Sequence, residues 1–253
     1  MLKLSIITVN LNNKAGLLDT AKSVLAQTWA DYEWIIIDGG STDGSLEVIK
    51  EYAEKTDKLV YWCSEPDGGI YNGMNKGIEK ANGEYSWFLN SGDCVSKSTT
   101  LEEIFTNKFD EDFVYGNIFL KKRGGIYVVK KFYDKLSSSK LAYGNLPHQN
   151  MFTKTKILKA KKGYRTDFKI VSDWMLCTEA ICKEKASYKH IPIVFATRQE
   201  VAGLTALNPK IHKKERKKGR SLMFSKKQRF FYFFSIASLR SNVREILALL
   251  KKI

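Results

Sequence analysis

The sequence predicts an α/β protein in which a mostly parallel sheet is flanked by helices and a basic helical extension follows at the C-terminus. Apolar runs of strand length alternate with helical segments over about the first 93 residues, which is typical of parallel strands joined by crossover helices. Several of these runs end in a polar residue, as strands do where a sheet binds ligands. Positive charge concentrated after residue 209 predicts the extension.

The first half of the chain contains four predicted strands separated by helices. Ser41, Thr42 and Asp43 are capping residues and predict the start of the second helix. The strands are expected over about residues 3–10, 33–38, 59–63 and 85–90, and the helices over about 16–27, 46–52 and 71–81.

The second half is less regular. Thr99 and Glu102 have the spacing of a capping box and predict a short helix that ends near Thr106. Two apolar runs on either side of a Lys- and Gly-rich turn predict an antiparallel hairpin. We expect the hairpin over about 113–120 and 126–132, then a loop up to His148, a helix over 173–184, a strand over 188–198 and helices after Pro209.

Length and charge predict one domain with an appendage. The 253 residues suffice for a single α/β domain, expected over residues 1–209, followed by a basic amphipathic extension over 210–253. The first part carries 28 Lys and Arg against 25 Asp and Glu, and the second carries 14 against 2. A nearly neutral body argues against a nucleic-acid-binding protein, whose positive charge should cover the fold.

The cysteines and the N-terminus predict a cytoplasmic setting. The four cysteines show no CxxC pair and no histidine at zinc-finger spacing, so neither a disulfide framework nor a structural zinc is expected. The chain begins with a strand-like run and lacks the pattern of a signal peptide. No run reaches the roughly 18 apolar residues that span a bilayer.

Three polar residues close predicted strands: Asn10, Asp38 and Asp93. Any one of them alone is more often an ordinary turn residue, but three at successive strand ends favour a shared site. Asp67 lies in a Pro-Asp-Gly-Gly turn that lets the backbone approach a ligand closely, although the local sequence alone favours a simple turn. No phosphate loop, Gly-x-Gly-x-x-Gly fingerprint or Gly-x-Ser-x-Gly elbow is present.

These motifs together resemble the family 2 glycosyltransferases, which are inverting sugar-nucleotide enzymes of the GT-A fold. The resemblance is carried by Leu4-Ser-Ile-Ile-Thr-Val-Asn10, Trp34-Ile-Ile-Ile-Asp38, the segment from Glu65 to Gly77, the segment from Glu84 to Asp93, and His148-Gln149. It covers about the first 205 residues. It implies inverting transfer of a sugar from a nucleotide-sugar donor, expected to be a UDP-sugar, to a saccharide or lipid-linked acceptor in surface polysaccharide biosynthesis.

The resemblance also implies which residues bind the donor. The carboxylate of Asp38 would contact the base, beside the Thr-x-Asn turn. A divalent cation, Mn²⁺ or Mg²⁺, would lie at Asp93, although the family usually places two or three carboxylates there and this chain has Asn90-Ser91-Gly92-Asp93. The donor-binding residues expected in full are Thr8, Asn10, Asp38, Asp67, Gly68, Asn72, Lys76 and Asp93.

On the acceptor side, the resemblance implies that Asp173 is the general base, which removes the proton from the attacking hydroxyl. His148, Gln149 and Trp174 match the family's acceptor or diphosphate side. The alternative for Asp173 is a helix cap, and the alternative for His148 is a hydrogen-bonded structural residue.

The C-terminal segment combines nine Lys and Arg between residues 213 and 229 with Phe230-Phe-Tyr-Phe-Phe234. Cationic and aromatic side chains together favour contact with an anionic membrane surface, which would place the protein at the inner face of the cell membrane. The alternatives are packing of the aromatic stretch on the body or an oligomer contact, and the oligomeric state is left open. A sugar-phosphate nucleotidyltransferase is the alternative enzyme, but the Gly-rich basic loop expected after its first strand is absent.

Overall fold

The computed structural model describes residues 2–199 and 203–239. The strands of this part of the chain are β1 (Leu4–Asn10), β2 (Tyr32–Asp38), β3 (Leu59–Ser64), β4 (Tyr85–Phe88), β5 (Cys94–Val95), β6 (Phe113–Lys121), β7 (Tyr127–Lys130), β8 (Met151–Lys154) and β9 (Tyr188–Gln199). The α-helices are α1 (Lys14–Leu25), α2 (Ser45–Lys55), α3 (Ile70–Lys80), α4 (Thr100–Phe105), α5 (Ser138–Tyr143), α6 (Thr155–Ala160), α7 (Ser172–Cys182), α8 (Leu204–Leu207), α9 (Pro209–Met223) and α10 (Lys226–Leu239). Short 3₁₀ helices span Arg123–Gly125 and His148–Asn150.

The described strands form one sheet in the order β3-β2-β1-β4-β8-β6-β9-β5, with β7 paired to β6. β3, β2, β1 and β4 are parallel neighbours, and so are β6 and β9. The remaining pairs are antiparallel, so the sheet is mixed, with its parallel part concentrated in the first half of the chain. The predicted α/β fold with a sheet flanked by helices is confirmed.

Both faces of the parallel strands are buried because helices cover each of them. Ile6 packs on the face covered by α1 and α2, whereas its neighbour Ile7 packs on the face covered by α3 and α7. This alternation follows from the two-residue period of a strand. It explains why the strands are continuous apolar runs in the sequence.

The third buried cluster joins α9 to the body of the protein. Trp174 and Met175 on α7 pack with Met223 of α9 and with Phe224. A Cβ atom added at Gly219 would lie 2.8 Å from the Trp174 ring, so the glycine permits close helix contact. One face of α9 therefore belongs to the core, although residues 210–253 were predicted to form an extension.

Five short elements were missed or misassigned in the sequence. β5, β8, α6 and α8 were not predicted, and α5 lies in the segment expected to be a loop. β8 has only four residues and pairs with β4 and β6, which are distant in sequence, so local periodicity does not reveal it. Helix α5 is capped by the Ser137 hydroxyl, which accepts a hydrogen bond from Lys140 N.

Candidate active site

Asn10 and Asp38 are adjacent at the carboxyl edge of the parallel strands. The register pairs Asn10 with Asp38, and Asp38 with Ser64. Asp38 is fully buried and accepts hydrogen bonds from Asn10 Nδ2 at 2.7 Å, from Ser64 Oγ at 2.6 Å, and from the amide and hydroxyl of Ser41. Burial favours a higher pKa for Asp38, but these bonds hold the pKa below its ordinary value. The ionised carboxylate therefore ties three strand ends and the following turn together.

Thr8 and Asn10 differ in what they present at this edge. Thr8 is fully buried, and its hydroxyl accepts a hydrogen bond from Trp34 Nε1 at 3.0 Å, below the edge. Asn10 Oδ1 is buried and has no hydrogen-bond partner among the described residues. A buried acceptor without a hydrogen-bond partner is uncommon, so Asn10 Oδ1 is the atom at this edge to which a ligand could donate a hydrogen bond.

Asp67 extends over the same edge from the turn before α3. Its Oδ1 accepts a hydrogen bond from Gly69 N at 2.8 Å. Its Oδ2 lies beside two glycines: a Cβ atom at Gly39 would be 3.5 Å from it, and one at Gly73 would be 3.1 Å away. The glycines therefore leave space around one Asp67 oxygen.

Gly68, Asn72 and Lys76 lie near Asp67. Gly68 is exposed, and the Asn72 side chain covers the position that its Cβ atom would occupy. Lys76 forms an ion pair with Glu65 at 2.8 Å, which raises the pKa of Lys76. The positive charge of Lys76 is thus already paired at the rim of this edge.

The turn over residues 90–93 is held by α1. Asn13 Nδ2 donates a hydrogen bond to Ser91 O at 2.9 Å. The Thr20 hydroxyl accepts from Gly92 N at 3.0 Å and lies 2.7 Å from Asp93 O. The sequence analysis did not identify Asn13 or Thr20, because both have the pattern of ordinary residues of a helix and its N-cap.

Asp93 is a buried carboxylate with few partners. Only 7% of Asp93 is exposed, and Gln149 Nε2 donates to its Oδ2 at 3.1 Å. Burial raises the pKa of Asp93, against the opposing influence of His148, Gln149 and Arg198. The negative charge of Asp93 is therefore incompletely compensated in the absence of a ligand.

Asp93 fits a divalent cation that is shared with a substrate. Within residues 2–199 and 203–239, no group of three or more His, Cys, Asp or Glu side chains could hold a metal ion. Mg²⁺ is often held by only one or two carboxylates, with substrate phosphates and water as the other ligands. A single carboxylate of this kind suits an ion that binds together with a diphosphate.

Asp173 begins α7 and makes three hydrogen bonds. Its Oδ1 accepts from Tyr71 Oη at 3.0 Å and from Trp174 N at 2.8 Å, and its Oδ2 lies 2.9 Å from His148 Nδ1. Burial favours a higher pKa for Asp173, but the hydrogen bond and charge of His148 and the bonds from Trp174 and Tyr71 hold the pKa below its ordinary value. Asp173 is consequently ionised near neutral pH.

His148 and Gln149 connect the two carboxylates. His148 Nδ1 pairs with Asp173, and His148 Nε2 lies 3.1 Å from Asn90 Nδ2. The next residue, Gln149, donates to Asp93. Two consecutive residues of one 3₁₀ helix thus hold two carboxylates whose pKa values are shifted in opposite directions, which is typical of groups with different catalytic roles.

These residues line a cavity of about 410 Å³. Of the residues predicted from the sequence, the cavity brings together Asp93, His148, Gln149, Asp173 and Trp174. It does not include Thr8, Asn10, Asp38, Asp67, Gly68, Asn72 or Lys76, which lie along the strand edge outside its lining. The predicted site therefore consists of a strand edge and an adjoining cavity.

The lining residues that the sequence analysis missed include Tyr71, Arg198 and Arg216. Tyr71 directly precedes Asn72, a predicted donor-binding residue, in α3, so its position in the helix was an available signal. Arg198 and Arg216 follow the predicted site residues in the chain and reach the cavity only through the fold. Arg198 Nε is buried without a described partner.

A parallel first half followed by a mixed second half, with carboxylates collected at the strand edge and cavity, is the arrangement of a glycosyltransferase of the GT-A fold. The chain belongs to Glycosyl transferase family 2, whose family model matches residues 5–181. The family resemblance predicted from the sequence is confirmed. Membership favours sugar transfer over the nucleotidyltransferase and nucleic-acid-binding alternatives.

Named relatives agree with this family. A PGL/p-HBAD biosynthesis glycosyltransferase of Mycobacterium bovis is 26% identical over 208 residues, which cover 79% of this chain and 78% of the relative. An uncharacterized glycosyltransferase of Mycobacterium tuberculosis is 34% identical, with coverage of 71% and 70%. A putative teichuronic acid biosynthesis glycosyltransferase of Bacillus subtilis is 34% identical over a shorter stretch that covers 37% of each chain.

Solved structures show the same fold. TarS residues 1–349 from S. aureus in complex with UDP matches with a TM-score of 0.64 at 19% identity, covering 78% of this chain and 60% of the other. A mannosyltransferase from Pyrobaculum calidifontis in complex with GDP-Man and Mn²⁺ matches with a TM-score of 0.61 at 15% identity, covering 78% and 56%. The predicted GT-A-like fold class is confirmed.

Proposed function

We propose that this glycosyltransferase moves a sugar from a UDP-sugar donor to a saccharide or lipid-linked acceptor, with inversion, during surface polysaccharide biosynthesis. The observation that carries the proposal is the pair of carboxylates Asp93 and Asp173, held in one cavity by His148 and Gln149. The UDP complex of TarS and the teichuronic acid relative support the donor and the setting.

The nucleoside would lie along the strand edge. Asn10 Oδ1 and Asp67 Oδ2 are the atoms there that lack a described hydrogen-bond donor, so they would bind the base and ribose. Asp38 already accepts four hydrogen bonds, which matches the acceptor capacity of a carboxylate. Its contribution to base binding would therefore be indirect, by holding Asn10 and Ser41 in place.

The donor diphosphate would lie at Asp93. Asp93 would hold a divalent cation together with the diphosphate, and that ion would supply charge compensation for the leaving group. Arg198 also lines the cavity and lowers the cost of negative charge at Asp93, so it would help to bind the departing diphosphate.

Asp173 would remove the proton from the acceptor hydroxyl. Its lowered pKa keeps it ionised, and Tyr71 and His148 hold the carboxylate in one orientation. An acceptor bound at Asp173 with the diphosphate at Asp93 would attack the anomeric carbon from the face opposite the leaving group, which gives inversion. The His148 ring would fix the distance between the base Asp173 and the diphosphate position at Asp93.

Donor binding is the direct test. Thermal shift and calorimetry with UDP-, GDP-, CMP- and dTDP-sugars, each with and without Mn²⁺, should single out the UDP-sugar and show tighter binding with the metal. Release of free sugar from that donor should then be slow without an acceptor. A failure of every nucleotide sugar to bind would contradict the proposal.

We also propose that the C-terminal helices bring the enzyme to an anionic membrane surface. None of the helices in residues 2–199 and 203–239 is long and apolar enough to cross a membrane. Phe230, Phe231 and Phe234 on α10 are 69%, 67% and 55% exposed, next to exposed Lys226 and Lys227. This combination supports an interfacial contact at the inner face of the cell membrane. Phe233 is also 55% exposed but contacts Tyr143, so part of the aromatic stretch contacts the body.

A further inference from the structure

A second cavity opens beside the active site. It has a volume of about 620 Å³ and lies between α5, α9 and residues 130–136. Asn145, Thr205, His212 and Arg216 line both cavities, so the two adjoin. We call this second cavity the basic groove.

The lining of the basic groove is cationic. Its described residues include no Asp or Glu, and five of its basic side chains form no ion pair with a described carboxylate. These are Lys131, Lys140, Lys213, Arg216 and Arg220. Charges of one sign in a concave site raise the local concentration of an oppositely charged ligand.

Arg216 is the central residue of the groove. It is only 6% exposed, its guanidinium lies 3.6 Å above the Trp174 ring, and it donates to Gly144 O. Burial and the nearby charge of Arg220 lower the pKa of Arg216 to about 9. Arg216 forms no ion pair with a described carboxylate, and the more distant charge of Asp173 only partly offsets the cost of its burial, which a bound anion would reduce further.

The groove lies next to the proposed acceptor position. Trp174, which Arg216 covers, follows Asp173 in the chain. Neither the strand-edge residues Asn10, Asp38 and Asp67 nor Asp93 and Arg198 at the proposed diphosphate position line the groove, so it lies beyond the donor site. An anion in the groove would therefore belong to the acceptor.

We propose that the basic groove binds a phosphate group of the acceptor, so that the acceptor is a phosphodiester- or diphosphate-bearing saccharide or lipid. This inference rests on the proposed function. Arginine guanidinium groups and clustered lysines together suit a phosphate group, which has several charged oxygens, better than a single carboxylate. The groove would hold the phosphate while the hydroxyl to be glycosylated lies at Asp173.

Two probes would test the groove and separate the sources of phosphate. Farnesyl diphosphate represents a lipid diphosphate, and a short glycerol-phosphate oligomer represents a phosphodiester polymer. Calorimetry is done on the full chain, at low salt and without vesicles. Saturating UDP and Mn²⁺ are present, so that the donor site is filled. We expect one of the probes to bind, and its binding to weaken as salt rises.

The variant Lys213→Gln/Arg220→Gln removes two charges from the groove, and Lys214→Gln/Lys217→Gln removes two from the exposed face of the same helix. We expect at least about 10-fold weaker probe binding in the first and less than about 2-fold change in the second. Circular dichroism checks that both fold. Equal weakening in both variants, or no binding of either probe to the wild type, would overturn the groove proposal. Loss of UDP binding by the wild type would instead contradict the proposed function.

Discussion

At the scale of single residues, Asp93 and Asp173 have the same chemistry and opposite surroundings. Asp93 has one side-chain donor among the described residues and a raised pKa, whereas Asp173 accepts three hydrogen bonds and has a lowered pKa. A carboxylate whose negative charge is not balanced by its neighbours is suited to binding a cation, and a carboxylate that stays ionised is suited to accepting a proton. Each role has its own test.

Replacing Asp173 should remove the base and leave donor binding intact. Asp173→Asn keeps an oxygen for Trp174 N but cannot take a proton at neutral pH, so we expect kcat to fall by about 10²–10⁴. UDP affinity by calorimetry should change little. Glu179→Gln, an exposed position on the same helix, is the matched control. Near-normal turnover in Asp173→Asn would leave helix capping as the role of this residue.

Replacing Asp93 should abolish the effect of Mn²⁺ on UDP binding and stabilise the folded state. In Asp93→Asn, Mn²⁺ should no longer tighten UDP binding, and the free energy of unfolding should rise by about 0.5–2 kcal/mol at pH 7. The sign of this change follows from the raised pKa of Asp93. The folded state disfavours the charged carboxylate, which lowers the free energy of unfolding of the wild type. This penalty is fully present above the folded pKa and vanishes below the unfolded pKa. Exposed Asp31→Asn is the control. Retained Mn²⁺ enhancement would mean that the ion is bound elsewhere.

At the scale of elements, Asp38 joins the ends of β1, β2 and β3. Asp38→Asn should therefore cost about 1.5–3 kcal/mol of unfolding free energy at pH 7, because a carboxylate that accepts four hydrogen bonds is replaced by an amide. Since the folded pKa of Asp38 is lowered, its contribution is present above the unfolded pKa of about 4 and is lost as pH falls.

Urea unfolding of wild type and Asp38→Asn between pH 7 and pH 3 measures this difference. The gap between the two proteins should narrow below about pH 4. Asp57→Asn, at an exposed position after α2, should show no such gap. A constant gap across the pH range would mean that the charge of Asp38 contributes nothing.

At the scale of the whole molecule, α9 has two faces with different partners. One face packs Met223 and Gly219 against α7, so deletion of residues 210–253 would expose Trp174 and disturb the site. Point substitutions on exposed positions of α10 therefore give a cleaner test of membrane binding than truncation does.

Flotation with vesicles rich in phosphatidylglycerol tests the membrane proposal. Phe230→Ser/Phe231→Ser/Phe234→Ser should abolish flotation at low salt, because the exposed rings are the apolar anchors. Ile126→Ser/Tyr127→Ser removes exposed apolar side chains from the β6–β7 hairpin and should float like wild type. Flotation of wild type should decline as salt rises. Equal flotation of all three proteins would favour packing or an oligomer contact for the aromatic stretch.

Local pattern in the sequence was sufficient for the parallel half and its edge. Strand period and polar strand ends predicted that Asn10 and Asp38 would lie at one edge of the sheet, and the register pairs them there. The same reasoning could not foresee that Asp38 would be enclosed by Ser41 and Ser64, because acceptor capacity is consumed by contacts that the pattern does not encode.

The sequence by itself determined the fold class, because strand period and turn chemistry are local properties of the chain, and its motifs indicated the family and the candidates Asp93 and Asp173 through their resemblance to that family. Tertiary structure alone decided what surrounds them. Tyr71 reaches Asp173 across 102 residues, and Arg216 covers Trp174 from a helix that was predicted to be an appendage. Burial and charge at the site arise from such long-range contacts, so its electrostatics and the basic groove exist only in the folded molecule.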